Sequence, residues 1–263
     1  MGGAARHPRR ARRAVPHPQR RGADLSLRRP TGGATPDGTV PSPNIWHHTA
    51  TYELENRAFD RGGLVTAALR EVADWTGRDV LDLGCGSGYH LPLWAADARS
   101  VIGVEPHPDL LALARRRTRR LAHVELRQGT AQATGLPDAS VDVVQVRWAY
   151  FFGPGCEPGL TELERVVRPG GVAAVIDNDA STSTFGQWFR KGFPKVDPDR
   201  VARFWRARGW TSTPVLTSWE FDSRADLEAV ARIELPTRVA EEFCARHRGT
   251  VVDYAIHVWW KRF

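Results

Sequence analysis

One methionine, three lysines and three cysteines among 263 residues are the scarcities of this chain. Cys85, Cys156 and Cys244 are odd in number and widely separated, which argues against a disulfide framework or a zinc site and for a reducing, cytoplasmic setting. No run approaches the roughly 18 apolar residues that span a bilayer, so no membrane partner is expected. No short His/Asp/Glu cluster is present, and Asp177 with Asp179 is too little to predict a metal.

Acid is scarce only at one end. Residues 1–43 hold nine Arg against Asp24 and Asp37, which accounts for the whole net charge of +7. The remaining 220 residues are formally neutral, with 28 basic and 28 acidic side chains. The pI of 9.9 therefore does not imply a nucleic-acid partner. Seven prolines and few large apolar side chains predict a disordered Arg/Pro-rich tail over 1–43. Its paired arginines lack a following secretory apolar stretch, and Arg6 stands where a myristoylation signal needs Ser or Thr. The single Met and the large excess of Arg over Lys equally suit a start-site artefact.

From Asn44 onward strand and helix patterns alternate, the sequence form of an α/β doubly wound parallel sheet. Helix is expected over 63–75, from near Tyr89, over 109–121, 162–167 and 198–208. Strands are expected at 80–83, 101–105, 124–127, 141–146 and 172–177, with β-rich segments at 215–221 and 251–260. Alternation of Tyr254, Ile256, Val258 and Trp260 with Ala255, His257 and Trp259 fits a final strand covered on both faces.

The run Val80-Leu81-Asp82-Leu83-Gly84-Cys85-Gly86-Ser87-Gly88-Tyr89-His90 is a buried strand ending in three alternating glycines. Such a turn lets the backbone approach a ligand where a Cβ would collide. A dinucleotide fingerprint needs G-x-G-x-x-G, and here Tyr89 takes the place of the last glycine. Glu105 lies 17 residues after Gly88 at the end of the next strand, where a carboxylate can accept both hydroxyls of a ribose. Ligands of open α/β sheets bind at those carboxyl edges, so Asp82, the glycines and Glu105 converge on one crevice. Glu105 as a mere cap of the Pro106 turn is the structural alternative. A third signal is Arg127-Gln128-Gly129-Thr130-Ala131-Gln132, followed by Gly135-Leu136-Pro137-Asp138 and the strand from Val141.

Together VLDLGCGSG, VIGVEP, GTAQATGLPDASVDVV and ELERVVRPGG resemble the class I S-adenosylmethionine-dependent methyltransferases, in the branch that includes ubiquinone-type and many small-molecule enzymes. The motifs cover residues 78–179. The resemblance implies a Rossmann-like doubly wound sheet, mostly parallel, with helices on both faces and an antiparallel C-terminal strand between its neighbours. It implies S-adenosyl-L-methionine as cofactor, with its methionine part at Asp82, Gly84, Cys85, Gly86 and Gly88. Glu105 and Pro106 would take the ribose, and Thr130 and Ala131 the adenine. Thr130 stands where this branch often has an acidic residue. Arg147 and Trp148 match positions lining the methionine side, and Arg147 is unusual there, in reach of the cofactor carboxylate or an acidic substrate.

A sulfonium methyl needs mainly to be held in line with an acceptor lone pair. Base candidates are His48, Tyr52, His90 and Tyr150, with His47 beside them, and for any one histidine a structural role is the commoner outcome. Most of the ten Trp should be core. The aromatic segment around 178–197, with Trp188 and Phe189, is expected to form a lid over a flat acceptor, and Tyr150-Phe151-Phe152 to lead into the substrate mouth. Three readings stay open: a small-molecule methyltransferase, a dinucleotide-dependent oxidoreductase, and a non-catalytic S-adenosylmethionine-binding protein. The acceptor, O-, N- or C-methylation and the oligomeric state stay open as well.

Overall fold

A computed structural model describes residues 35–150 and 153–263. The expected tail falls outside the described residues over 1–34, as do Phe151 and Phe152.

Seven strands form one sheet: β1 (Asp79–Leu83), β2 (Ser100–Glu105), β3 (Val124–Gln128), β4 (Val141–Arg147), β5 (Val167–Asn178), β6 (Thr211–Glu220) and β7 (Val251–Arg262). Their order is β3-β2-β1-β4-β5-β7-β6. The first five strands run parallel, and β7 is antiparallel to both β5 and β6. After β3 the chain crosses back to the far side of β1, which leaves a crevice outside the carboxyl ends of β1 and β4.

Period-two alternation sorts the strand residues into two cores. Val80, Val101, Val143, Ala174, Ile176, Tyr254, Ile256 and Val258 face one layer, while Leu81, Leu83, Val144, Val146, Ala173, Val175 and Trp259 face the other. The first layer is closed by α3 (Leu64–Val72), α4 (Leu91–Ala95), α7 (Thr184–Gly192), α9 (Arg224–Glu234) and α10 (Thr237–Arg246). The second is closed by α6 (Glu157–Val166) and α8 (Pro198–Arg206). Trp75, Trp94, Trp205, Trp210, Trp219 and Trp259 are buried, as their size favours.

Three elements depart from expectation. Two helices, α1 (Pro43–His47) and α2 (Thr49–Ala58), precede the first expected one. The expected helix over 162–167 ends at Val166, and Arg168-Pro169-Gly170-Gly171 folds inside β5, which begins well before the expected 172: Gly170 donates to the Phe263 carbonyl at 2.6 Å and Phe263 donates to that of Gly171 at 3.0 Å. The segment 178–197 contributes no residue to the cavity described below. Its helix α7 places Phe185 flat on Tyr254, centroids 4.3 Å apart, and Trp188 edge-on to Phe243. Phe185 and Phe189, four apart on one helical face, are buried there, so this stripe serves the core rather than a lid.

Candidate functional site

The chain leaves β1 through a tight turn whose Gly84 and Cys85 amides both donate to the Val104 carbonyl, at 2.8 and 3.1 Å. Gly86 has a φ of +55°, and a Cβ there would sit 2.8 Å from Ile45 of α1. Gly88 answers a different need. With φ at +76°, its Cβ position lies 2.8 Å from Ala114 Cβ on α5 (Pro108–Thr118), so this glycine lets α5 pack close and does not line the cavity. That corrects its expected place beside the ligand.

The turn forms the floor of a cavity of about 150 Å³. Asp82, Gly84, Cys85, Gly86, Glu105, Pro106, Thr130, Ala131, Arg147 and Trp148 all line it. They come from the ends of four strands in the spatial order β3, β2, β1, β4, so the cavity runs along the carboxyl edge. Of the base candidates, Tyr52 and His90 line it. His48 is exposed outside it at the start of α2. Tyr150 turns inward, buried against α6 with its hydroxyl donating to the Gly159 carbonyl at 3.2 Å.

Charge here is buried without opposite charge in contact. Asp82 is 3% exposed and accepts from Trp94 Nε1 at 3.1 Å, and burial raises its carboxyl to about 6. Glu105 accepts from the amides of Gly86 and His107, each at 2.9 Å, yet burial outweighs both and raises it to about 7. Burial lowers Arg147 to about 10, so it stays charged at neutral pH. Burial, then the cations Arg147 and Arg117, pull His90 well down and keep it neutral. Burial pushes the Cys85 thiol well up, which leaves it a poor nucleophile. The Thr130 hydroxyl oxygen is buried with no partner among the described residues.

The roof consists of residues that sequence reasoning placed in the tail or left without an element. Thr39, Val40, Ser42, Ile45, Trp46 and Asn56 line the cavity from the N-terminal segment. Three attachments hold this roof down. Gln132, past β3, donates to the Gly38 carbonyl at 2.7 Å. Glu53 on α2 hydrogen-bonds Ser87 of the glycine turn, and both meet Arg117 of α5, whose Nη2 lies 2.7 Å from Glu53. Asn44 donates to Glu234 of α9 at 2.6 Å, beside Glu55, which burial and the Glu234 carboxylate push well up so that it keeps its proton. No local pattern announces these contacts, which join positions 30 to 190 residues apart.

Residues 81–175 match the family described as a methyltransferase domain. A protein named as a probable S-adenosylmethionine-dependent methyltransferase of Mycolicibacterium smegmatis is 42% identical over 151 residues, covering 53% of this chain and 54% of its own length. The ubiquinone/menaquinone biosynthesis C-methyltransferase of Rubrivivax gelatinosus is 33% identical over 103 residues, 39% of this chain and 40% of that protein. Over residues 81–175 this chain is thus similar to S-adenosylmethionine-dependent methyltransferases. It spans about half or less of the length of the curated relatives it matches. The fold is shared with a solved structure: a Bacillus subtilis protein, YcgJ, superposes with a TM-score of 0.57 at 15% identity, over 77% of this chain and 98% of its own. S-adenosylmethionine, the cofactor in the name of the Mycolicibacterium relative, suits the chemistry of the cavity, which offers two carboxylates, open backbone at the glycine turn and, among the described residues, an unpartnered hydroxyl at Thr130.

Proposed function

We propose that this chain catalyses methyl transfer from S-adenosylmethionine to a small-molecule acceptor by in-line displacement. The observation that supports it best is the convergence of Asp82, the glycine turn and Glu105 on one cavity at the switch point of the sheet. Bound S-adenosylmethionine supplies an electrophilic sulfonium methyl group. Asp82 and the backbone around Gly84, Cys85 and Gly86 hold the methionine part. Glu105, with Pro106, holds the ribose hydroxyls, and Thr130 Oγ1 with the Ala131 amide takes the adenine.

The protein's contribution is positional. Fixing two reactants in line can supply roughly 7–11 kcal/mol of the barrier. His90, in the cavity and held neutral by burial and the nearby cations, presents a neutral imidazole that can hydrogen-bond the acceptor. Burial, then Glu55, raises Tyr52 well above its ordinary value, so its phenol keeps its proton and can donate a hydrogen bond. The relative named for ubiquinone/menaquinone biosynthesis supports a small-molecule acceptor. The three free cysteines support a cytoplasmic setting.

Calorimetric titration with S-adenosylmethionine, S-adenosylhomocysteine and NAD tests the cofactor: binding of NAD alone overturns this reading. Transfer of a labelled methyl group into a metabolite extract tests the reaction, and binding without any labelled product points to the non-catalytic alternative.

A further inference from the structure

One end of the cavity carries a cation, Arg147, with no ion-pair partner among the described residues. Arg147 ends β4, paired with Ile176 of β5 and one step beyond the Leu83–Val146 pair, on the side of β1 away from Glu105. Its Nε is buried without a hydrogen bond, and among the described residues no carboxylate lies within 4.0 Å of its guanidinium. Asp82 and Asp60 act on it only from a distance, enough to favour its charge without quenching it.

The next residue makes the second half of the arrangement. Successive side chains of a strand point to opposite faces, yet Arg147 and Trp148 both line the cavity. Trp148 achieves this with a φ of +47°, a left-handed conformation that a bulky residue adopts only when its surroundings impose it. Here the Trp148 amide donates to the Ile176 carbonyl at 3.0 Å, and its indole Nε1 donates to Asn178 Oδ1 at 2.7 Å. Tyr254 donates to the same oxygen at 2.7 Å, and Phe59 packs edge-on against the indole. A strained, doubly anchored aromatic surface therefore stands under a guanidinium that has no ion-pair partner among the described residues, its central carbon over the indole 5.5 Å from the ring centroid, a cation–π contact that leaves the N–H groups free for an anion.

We propose that the methyl acceptor is a flat, apolar molecule bearing an anionic group, its ring lying against Trp148 and its carboxylate or equivalent oxyanion held by Arg147. This rests on the methyl-transfer reading above. Two cations sharing one cavity, the guanidinium and the sulfonium of a bound cofactor, repel each other, and an anionic group in the same cavity relieves that repulsion. The anion has two sources, the acceptor and the cofactor's own carboxylate. The position of Arg147 on the side of β1 away from Glu105, beside the aromatic surface of Trp148, favours the acceptor. The planar fork of Arg grips an oxyanion through two parallel hydrogen bonds.

The test uses the full chain saturated with S-adenosylhomocysteine and three probes of one shape: 2-naphthoate, its methyl ester, and 2-naphthylmethylammonium. Tryptophan fluorescence and calorimetry read binding. The acid is expected to bind at least about tenfold tighter than the ester and the ammonium. Arg147→Met abolishes that preference, Arg147→Lys keeps part of it, and both retain S-adenosylhomocysteine affinity within about threefold, which also reports that they fold. Equal or absent binding of the three probes, or tighter binding of the ammonium, overturns the proposal. So does a tenfold loss of S-adenosylhomocysteine affinity in Arg147→Met, which assigns the guanidinium to the cofactor carboxylate. Absence of S-adenosylhomocysteine binding by the unaltered protein instead defeats the methyl-transfer reading itself.

Discussion

Asp79 and Asp82 lie three residues apart on one strand and live in opposite electrostatic regimes. At the amino edge of the sheet Asp79 accepts from Arg99 Nε at 2.8 Å and from Arg168 at 2.9 Å, and Arg168 reaches Asp142 at 2.8 Å as well. The Arg99 hydrogen bond above all holds the Asp79 carboxyl well below its usual range. At the carboxyl edge Asp82 and Glu105 are more deeply buried and have no cation within 4.0 Å among the described residues, so both carboxyls are pushed up. One edge spends its charges on holding strands together. The other keeps desolvated carboxylates that have hydrogen-bond donors but no ion-pair partner among the described residues, a destabilising arrangement typical of ligand sites.

The largest break in that contrast is expected from Asp82→Asn. A carboxyl raised from 3.8 to about 6 on folding is bound to its proton more tightly in the folded state, so its contribution to stability falls as pH rises between those values. By pH 8 the ionised group costs on the order of 3 kcal/mol. Asn can still accept from Trp94 and carries no charge. The variant should therefore gain on the order of 2–3 kcal/mol in urea unfolding at pH 8 and nothing at pH 4, while S-adenosylhomocysteine binds at least about tenfold more weakly. A variant that is less stable at both pH values contradicts the assignment.

Glu105 is next. Glu105→Ala removes charged hydrogen bonds worth about 1.5–3 kcal/mol, a loss of tenfold or more in cofactor affinity by calorimetry. The unaltered protein should show the same dependence through pH, because only the ionised carboxylate accepts both ribose hydroxyls. With its carboxyl at about 7, lowering the pH from 8 to 6 weakens binding by about tenfold. A flat affinity profile over that range removes Glu105 from the site.

At the amino edge the signs reverse. Arg168→Met leaves Asp79 and Asp142 facing each other with only Arg99 between them. Because Arg168 is a third exposed, solvent screens the pair and the expected loss is about 1–2 kcal/mol at pH 7. A carboxyl lowered by folding stabilises above its unfolded value and loses that contribution as pH falls, so the difference between variant and parent shrinks toward pH 3. Cofactor affinity should stay within about twofold, since none of these residues lines the cavity.

The difference between the edges also explains what the sequence made legible. Asp82, the glycine turn and Glu105 are readable because each must sit at a strand end, and a short apolar run followed by glycine or proline marks such an end. The strands follow from their apolar runs, whereas the antiparallel direction of β7 comes from the resemblance, because alternation assigns faces and not direction. The roof is not readable in this way. Glu53, Asn44 and Gln132 do their work through partners on other elements, and a polar residue on a short helix looks alike whether it faces solvent or a latch. Aromatic composition misleads for a related reason: Phe185 and Trp188 are apolar enough for a lid or a core, and only the packing of α7 on β7 and α10 decides between them. Gly88 shows the same ambiguity within a motif, since a positive φ serves α5 as well as a ligand.

The smallest effect separates the two regimes at a neutral group. Thr130 Oγ1 is buried and unpartnered among the described residues, whereas the amide and carbonyl of the same residue are both satisfied by Ala133, at 3.1 and 3.2 Å. A buried hydroxyl without a partner costs about 1–3 kcal/mol of desolvation, and Val fills nearly the same volume without incurring it. Thr130→Val should therefore leave the free protein as stable as the parent or up to about 1 kcal/mol more so. The same change removes one neutral hydrogen bond to the adenine, worth about 0.5–1.5 kcal/mol, or roughly a threefold to tenfold loss of S-adenosylhomocysteine affinity. Gain in one measurement and loss in the other is the signature of a group kept for a ligand. Unchanged affinity with raised stability leaves adenine recognition to the Ala131 amide and makes Thr130 an unsatisfied core residue instead.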